Sequence, residues 1–319
     1  MKTVLTALAS LLALITAYVN SSPETVNNNI FEPDVLSSSS VYVLKDVGEA
    51  YMDNFGLSDN DFSLISNAGF DVIEGNFDIC ASDEDVEYYL ETSAKYDLEV
   101  IMPAGSGEAE WGYKCDEDYP ADQKPVWQKE EVIEFINKWK GYKNIYAWDI
   151  SNEAGSVFPN ADNNYYLTEE QLQMAYLDVK SADYNRPVII RMNGWFFYDF
   201  DSNYFREGNP YAKDVTDIIM INAYSNVDEY FSDFVDSVYD RSEKAIHNID
   251  PGVGLIYALG VWEEPPLWKL PSEEQLSNDI NSLSGKNILG TGFFKYGAQG
   301  SEYYLPEKMD IWNLINESI

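Results

Sequence analysis

The sequence predicts a single (β/α)8 barrel, the TIM-barrel architecture, from Val41 to the C-terminus. Three observations carry that prediction. Short apolar, β-branched runs alternate regularly with amphipathic acidic stretches along the whole region. Several runs are apolar throughout, as strands covered on both faces are. The glycine-rich first turn that usually marks an open, doubly wound sheet does not occur.

The elements follow in order. Strands are expected at Val41–Lys45, Asp71–Glu74, Glu99–Pro103 and Ile145–Asp149, then at Pro187–Met192, Asp217–Ala223, Gly254–Leu259 and Ile288–Phe294. Helices are expected between them, at Asp59–Ala68, Asp83–Tyr96, Lys129–Lys140, Glu169–Ala182, Glu229–Ile249 and Glu273–Leu283, with a last one at Pro306–Asn316. Ser82, Thr168 and Ser272 precede acidic first turns, which suits both N-capping and the helix dipole. Only the fifth strand lacks a clear long helix after it.

Ahead of the barrel, Met1-Lys2 precedes the apolar run Val4–Ala17 and small residues up to Ser22. This reads as a secretory signal over residues 1–19, too short to span a bilayer. Residues 20–40 form a polar arm rich in Asn and Ser. Residues 41–319 are the barrel. Export predicts an extracellular protein and permits disulfides. Cys80 and Cys115 are the only cysteines, so one intramolecular bridge is possible. In a barrel it would tie the loops after the second and third strands. Two free buried thiols are the alternative.

Charge narrows the function. Twenty basic residues against 55 acidic ones give a net charge of −35. Such a surface repels nucleic-acid phosphates and anionic membranes. A single histidine, His247, excludes zinc sites built on several His and argues against a Ser-His-Asp triad. It falls in a helical stretch and reads as an ordinary helix residue. Neither a cofactor nor a metal is expected. The chemistry therefore falls to carboxylates, Tyr and Lys.

In barrels of this kind, reacting groups lie past the C-terminal ends of the strands. The fourth strand reads Ile145-Tyr-Ala-Trp148-Asp-Ile-Ser-Asn152-Glu153. With Lys143-Asn144 before it, and Asp183-Tyr-Asn-Arg186-Pro187-Val188 entering the fifth strand, it resembles the clan of (β/α)8 retaining glycoside hydrolases that includes cellulases, mannanases and β-galactosidases. The resemblance in motif covers about Lys143–Val188. It implies that Glu153 is the general acid/base and that Asn152 contacts the sugar hydroxyl beside the anomeric carbon. A glycosidic oxygen leaves poorly unless protonated, so a carboxyl at this place suits the chemistry. Trp148, nearby in sequence, is expected to help bury that carboxyl.

The clan also implies a nucleophilic carboxylate at the end of strand seven. Here that place holds Leu259 and Gly260, and the acids come late, at Glu263 and Glu264. Three readings stay open: Glu263 as nucleophile, Glu264 as nucleophile, or none on this strand. The last case is compatible with an inverting mechanism that uses a more distant carboxylate, and Asp46, Glu74 and Asp149, near other strand ends, are weaker candidates. The clan's Arg on strand two and His on strand six are missing. Tyr224 matches on strand six and is expected to bond the nucleophile, and Tyr296 after strand eight takes the place of a stacking Trp.

Aromatic residues are 15% of the chain. Trp111, Trp195, Trp262 and Trp268 fall just after predicted strands and are candidate platforms for sugar rings. Trp139 and Trp312 fall in helices and read as packing. The expected function is hydrolysis of a β-linked poly- or oligosaccharide. The competing reading is a carbohydrate-binding barrel that lacks the nucleophile and catalyses nothing.

Overall fold

The computed structural model describes residues 40–105, 127–153, 167–199, 202–206, 208–227 and 230–319. The expected signal at 1–19, the arm up to residue 39, Trp111 and Cys115 lie outside the described residues, and so does the proposed Cys80–Cys115 pairing.

Eight strands form the barrel: β1 Val41–Val47, β2 Val72–Gly75, β3 Glu99–Pro103, β4 Ile145–Asp149, β5 Val188–Asn193, β6 Ile218–Ala223, β7 Gly254–Gly260 and β8 Gly290–Phe294. They close in sequence order, and every neighbouring pair is parallel, β8 returning to β1. The expected boundaries hold to within two residues. The helices are α1 Asp59–Asn67, α2 Asp83–Lys95, α3 Lys129–Trp139, α4 Glu169–Ala182, α5 Trp195–Asp199, α6 Phe234–Ile249, α7 Glu273–Leu283 and α8 Met309–Ser318. The short α5 follows the strand expected to lack a long helix. α6 begins later than expected, at Phe234.

Local chemistry sets the helix starts. Thr168 and Ser272 each form a reciprocal capping box, with Gln171 and Gln275. Ser82 accepts from the Asp85 N–H. Each such cap contributes about 1 kcal/mol.

Side chains alternate between the barrel interior and the helical shell. Trp148 illustrates the rule and corrects an expectation. Its neighbour Asp149 faces inward, so Trp148 faces outward. Its indole donates to Asp183 at 3.1 Å and its ring meets Phe135 of α3 edge-on. It therefore does not shield Glu153. Trp139 and Trp312 are buried as expected. His247 of α6 bonds Glu243 and the Val253 carbonyl, both at 3.1 Å.

One irregularity bears on function. The β1–β2 register shifts between Leu44 and Val47, and Asp46 lies there in the left-handed region at φ 48°.

Candidate active site

β4 ends at Asp149, and Ser151 and Asn152 lead to Glu153 at φ 52°. A left-handed conformation costs a non-glycine residue about 1–3 kcal/mol, and such strain gathers at functional sites. Both carboxylate oxygens of Glu153 are held. Oε2 accepts from the Asn193 amide at 3.1 Å, and Oε1 from the Asn222 amide at 2.7 Å. Asn152 is half-buried beside it.

Neither amide is free to turn. The Asn193 oxygen accepts the Trp195 N–H at 2.9 Å. The Asn222 oxygen accepts from Lys45 Nζ at 2.7 Å. The same ammonium donates to the Tyr224 hydroxyl at 3.0 Å and lies over the rings of Tyr224 and Phe294. Lys45 is wholly buried, and burial lowers its pKa. The chain Lys45–Asn222–Glu153 therefore joins β1, β6 and the β4 loop into one rigid unit.

Arg191 of β5 forms a second buried network. It reaches Glu74 of β2 at 2.7 Å and Asp149 of β4 at 2.8 Å. Burial pushes the Asp149 carboxyl up, to about 7, in spite of Arg191 beside it. Burial works against the Arg191 charge as well, but Asp149 and Glu74 more than offset it and hold its pKa above the ordinary value. Higher up, Glu49 pairs with Lys295 at 3.5 Å and accepts from Asn76 at 3.4 Å.

Asp46 differs from these acids. Among the described residues its carboxyl has neither a hydrogen bond nor an ion pair, although it remains partly accessible. Burial and the nearby Glu74 raise it to about 6, against the pull of Lys45, Arg191 and Lys295.

Strand seven departs from the clan's arrangement. Gly260 ends β7, and a Cβ there would lie 1.9 Å from the Asn226 side-chain oxygen and 2.7 Å from the Trp262 ring. Asn226 is tied in place by its bonds to the Trp262 and Lys269 carbonyls. The strand end is thus filled by side chains from the segments that follow β6 and β7, and Leu259 is buried. Glu263 is exposed and its carboxylate pairs with Lys308. Glu264 is exposed too, its backbone paired with Trp268. Neither joins the hydrogen-bonded group around Glu153, because two further residues carry the chain past the strand end before the acids occur.

The aromatic candidates divide. Trp195 is part-exposed, packs against Phe234 and donates to the Tyr224 carbonyl at 3.2 Å. Trp262 is buried and lies against Tyr224, Phe294 and Trp268. Trp268 keeps part of its surface exposed. Tyr224 belongs to the site, but its hydroxyl partner is Lys45 rather than a strand-seven acid. Tyr296 is a correction. It is wholly buried, bonds Asp61 at 3.0 Å and packs on Trp312, so it offers no face to a ligand.

Lys45, Arg191, Asn193 and Asn222 were not among the residues the sequence singled out. Arg191 did leave a signal as a lone charge inside an otherwise apolar strand, and Lys45 did as a charge that directly follows the uncharged run Val41–Leu44. A strand enclosed on both faces tolerates that only where the charge meets partners in the interior.

Comparisons with known proteins agree with this architecture. An endo-1,4-β-D-mannanase from Thermotoga petrophila aligns with a TM-score of 0.60 at 14% identity, over 88% of this chain and 99% of that one. A β-D-glucuronidase from Dictyoglomus thermophilum aligns at 0.52 and 15%, over 81% and 43%. A β-galacturonidase from Eisenbergiella tayi aligns at 0.51 and 14%, over 88% and 50%. At such identities the likeness establishes the fold, which this chain shares with glycoside hydrolases. No protein-family profile and no curated protein matches the sequence.

Proposed function

We propose that this chain is a secreted glycoside hydrolase acting on a β-linked poly- or oligosaccharide, with Glu153 donating the proton to the departing oxygen. The observation that carries this reading is the presentation of Glu153. Its backbone is held in a costly conformation, and its two carboxylate oxygens are fixed by amides that are themselves anchored. Such preorganisation is the means by which sites on rigid elements hold a reacting group in place.

The retaining form of the reaction needs a nucleophilic carboxylate close to Glu153. Gly260, Glu263 and Glu264 lend no support to one on strand seven. That same observation favours a second reading, a barrel that binds glycans without cleaving them. Trp195 and Trp268 would serve either function. The Cys80–Cys115 bridge belongs to the proposal of export, and thiol titration of the denatured, unreduced protein tests it: no free thiol is expected.

The two functional readings separate in one screen. Purified protein is incubated with β-glucans, mannans, xylans and galactans, and reducing ends and binding are both measured. Release from at least one glycan is the expected result. Tight binding to a glycan without release would replace hydrolase by binding protein.

A further inference from the structure

The structure leaves the second carboxyl of the reaction to be found, and it narrows the choice. Glu74 and Asp149 are both committed to Arg191 and buried beneath the mouth. Glu49 is committed to Lys295 and Asn76. Glu263 is exposed and committed to Lys308, and Glu264 lies on an exposed turn. Among the described residues at the strand ends, Asp46 has neither an ion pair nor a hydrogen bond on its carboxyl, and it is partly accessible.

Its placement is built rather than incidental. The irregularity in β1 interrupts the pairing with β2 at this residue, and the backbone turns left-handed. The Asp46 carbonyl accepts the Gly297 N–H at 2.9 Å, which pins the turn against the segment after β8. Bulges at barrel rims commonly re-aim a side chain. Asp46 and Glu153 are thus two acids in left-handed backbone at the ends of different strands. The charge of each is felt by the buried Lys45 ammonium and by the Tyr224 hydroxyl.

We propose that Asp46 is the second catalytic carboxyl and that it acts as a general base on water, so that hydrolysis inverts the anomeric configuration. The proposal rests on the hydrolase reading and changes its stereochemistry. In the step, Asp46 takes a proton from a water molecule. The water oxygen forms a bond to the anomeric carbon from the face opposite the leaving group. The bond from that carbon to the glycosidic oxygen breaks with its electron pair going to the oxygen, and Glu153 supplies the proton that oxygen gains. One water is consumed and two hydroxyls are produced. Asp46 ends protonated and Glu153 ionised, and exchange with solvent restores both. Inversion requires room for this water, which is why inverting enzymes hold their carboxyls about 6.5–9.5 Å apart rather than about 5 Å.

The groups that set the ionisation of Asp46 are Glu74 on β2, Lys45 on β1, Arg191 on β5 and Lys295 after β8. A base with these neighbours must lose its proton to work, so the rate should fall as pH drops below about 6.

The test is proton NMR of the first product formed by the unmodified protein on a cleaved β-linked glycan, with Asp46→Asn and Glu263→Gln assayed beside it. The α-anomer should appear first. D46N should lose about 10²- to 10⁴-fold in kcat and its residual rate should lose the fall below pH 6, as expected for removal of a general base. E263Q should match the parent. First appearance of the β-anomer, or D46N at the parent rate, would overturn the role of Asp46 while leaving the hydrolase reading intact. Absence of cleavage by the parent on every glycan would overturn both. The NMR result needs no variant, so a misfolded D46N does not spare the proposal.

Discussion

An acid placed for chemistry rather than for stability should weaken the fold at neutral pH, and Asp46 provides the test. Its carboxyl rises from the ordinary 3.8 to about 6. Below pH 3.8 Asp46 is protonated in both folded and unfolded chains. Between 3.8 and 6 the folded chain holds the proton more firmly, so the stability that proton contributes is lost as pH rises through 6. A rise of about two units at 1.36 kcal/mol per unit corresponds to roughly 3 kcal/mol, and partial exposure brings the figure to about 1–3 kcal/mol. Asn has nearly the shape of protonated Asp. D46N should therefore match the parent at pH 4 and exceed it by about 1–3 kcal/mol at pH 8. For a chain of this size that corresponds to a few degrees or more in Tm. The assay is thermal unfolding of both proteins from pH 4 to pH 8, taking the difference at each pH so that the other titrating groups cancel. A difference that does not change with pH, or a D46N protein less stable than its parent at pH 8, would refute the reasoning.

Other perturbations have distinct signatures. Arg191→Met leaves Glu74 and Asp149 buried without their cation and should cost about 3–5 kcal/mol by thermal melting, with the loss larger at pH 8 than at pH 5. Lys45→Met removes a buried ammonium along with its two hydrogen bonds. These effects oppose one another, so stability should move by no more than about 2 kcal/mol. The Asn222 amide, however, loses the partner that fixes it, and kcat should fall at least about tenfold with little change in KM. Trp262→Ala opens a hole in the packed aromatic group and should destabilise by about 3–5 kcal/mol. Trp268→Ala, removing a part-exposed ring, should instead raise KM and leave Tm near that of the parent.

The alternation of apolar runs with capped acidic stretches made the barrel legible in the sequence, because period and capping are local properties. Glu153 was picked out as a candidate by a motif that is also local: Trp148 in the strand and Asn152-Glu153 past its end carry the resemblance to the glycosidase clan. What surrounds Glu153 was not legible. Asn193 and Asn222 lie 40 and 69 residues further along, and only closure of the barrel brings them to it. Trp148 seemed close because it is five positions away, yet alternation sends it to the other face of the strand. Tyr296 matched the position of a stacking residue but turns outward to Asp61. Strand seven shows the limit from the other side. The sequence marked Gly260 as a departure, but that Asn226 and Trp262 fill the space beside it required the folded chain.

The most direct measurement compares Glu153→Gln with the parent on two substrates: the natural glycan that the protein cleaves, and the corresponding dinitrophenyl glycoside, whose leaving group needs no proton. If Glu153 is the proton donor, the variant should lose about 10²- to 10⁴-fold on the glycan and little on the dinitrophenyl glycoside. Equal losses on both substrates, or an undiminished rate on the glycan, would contradict the role assigned to Glu153.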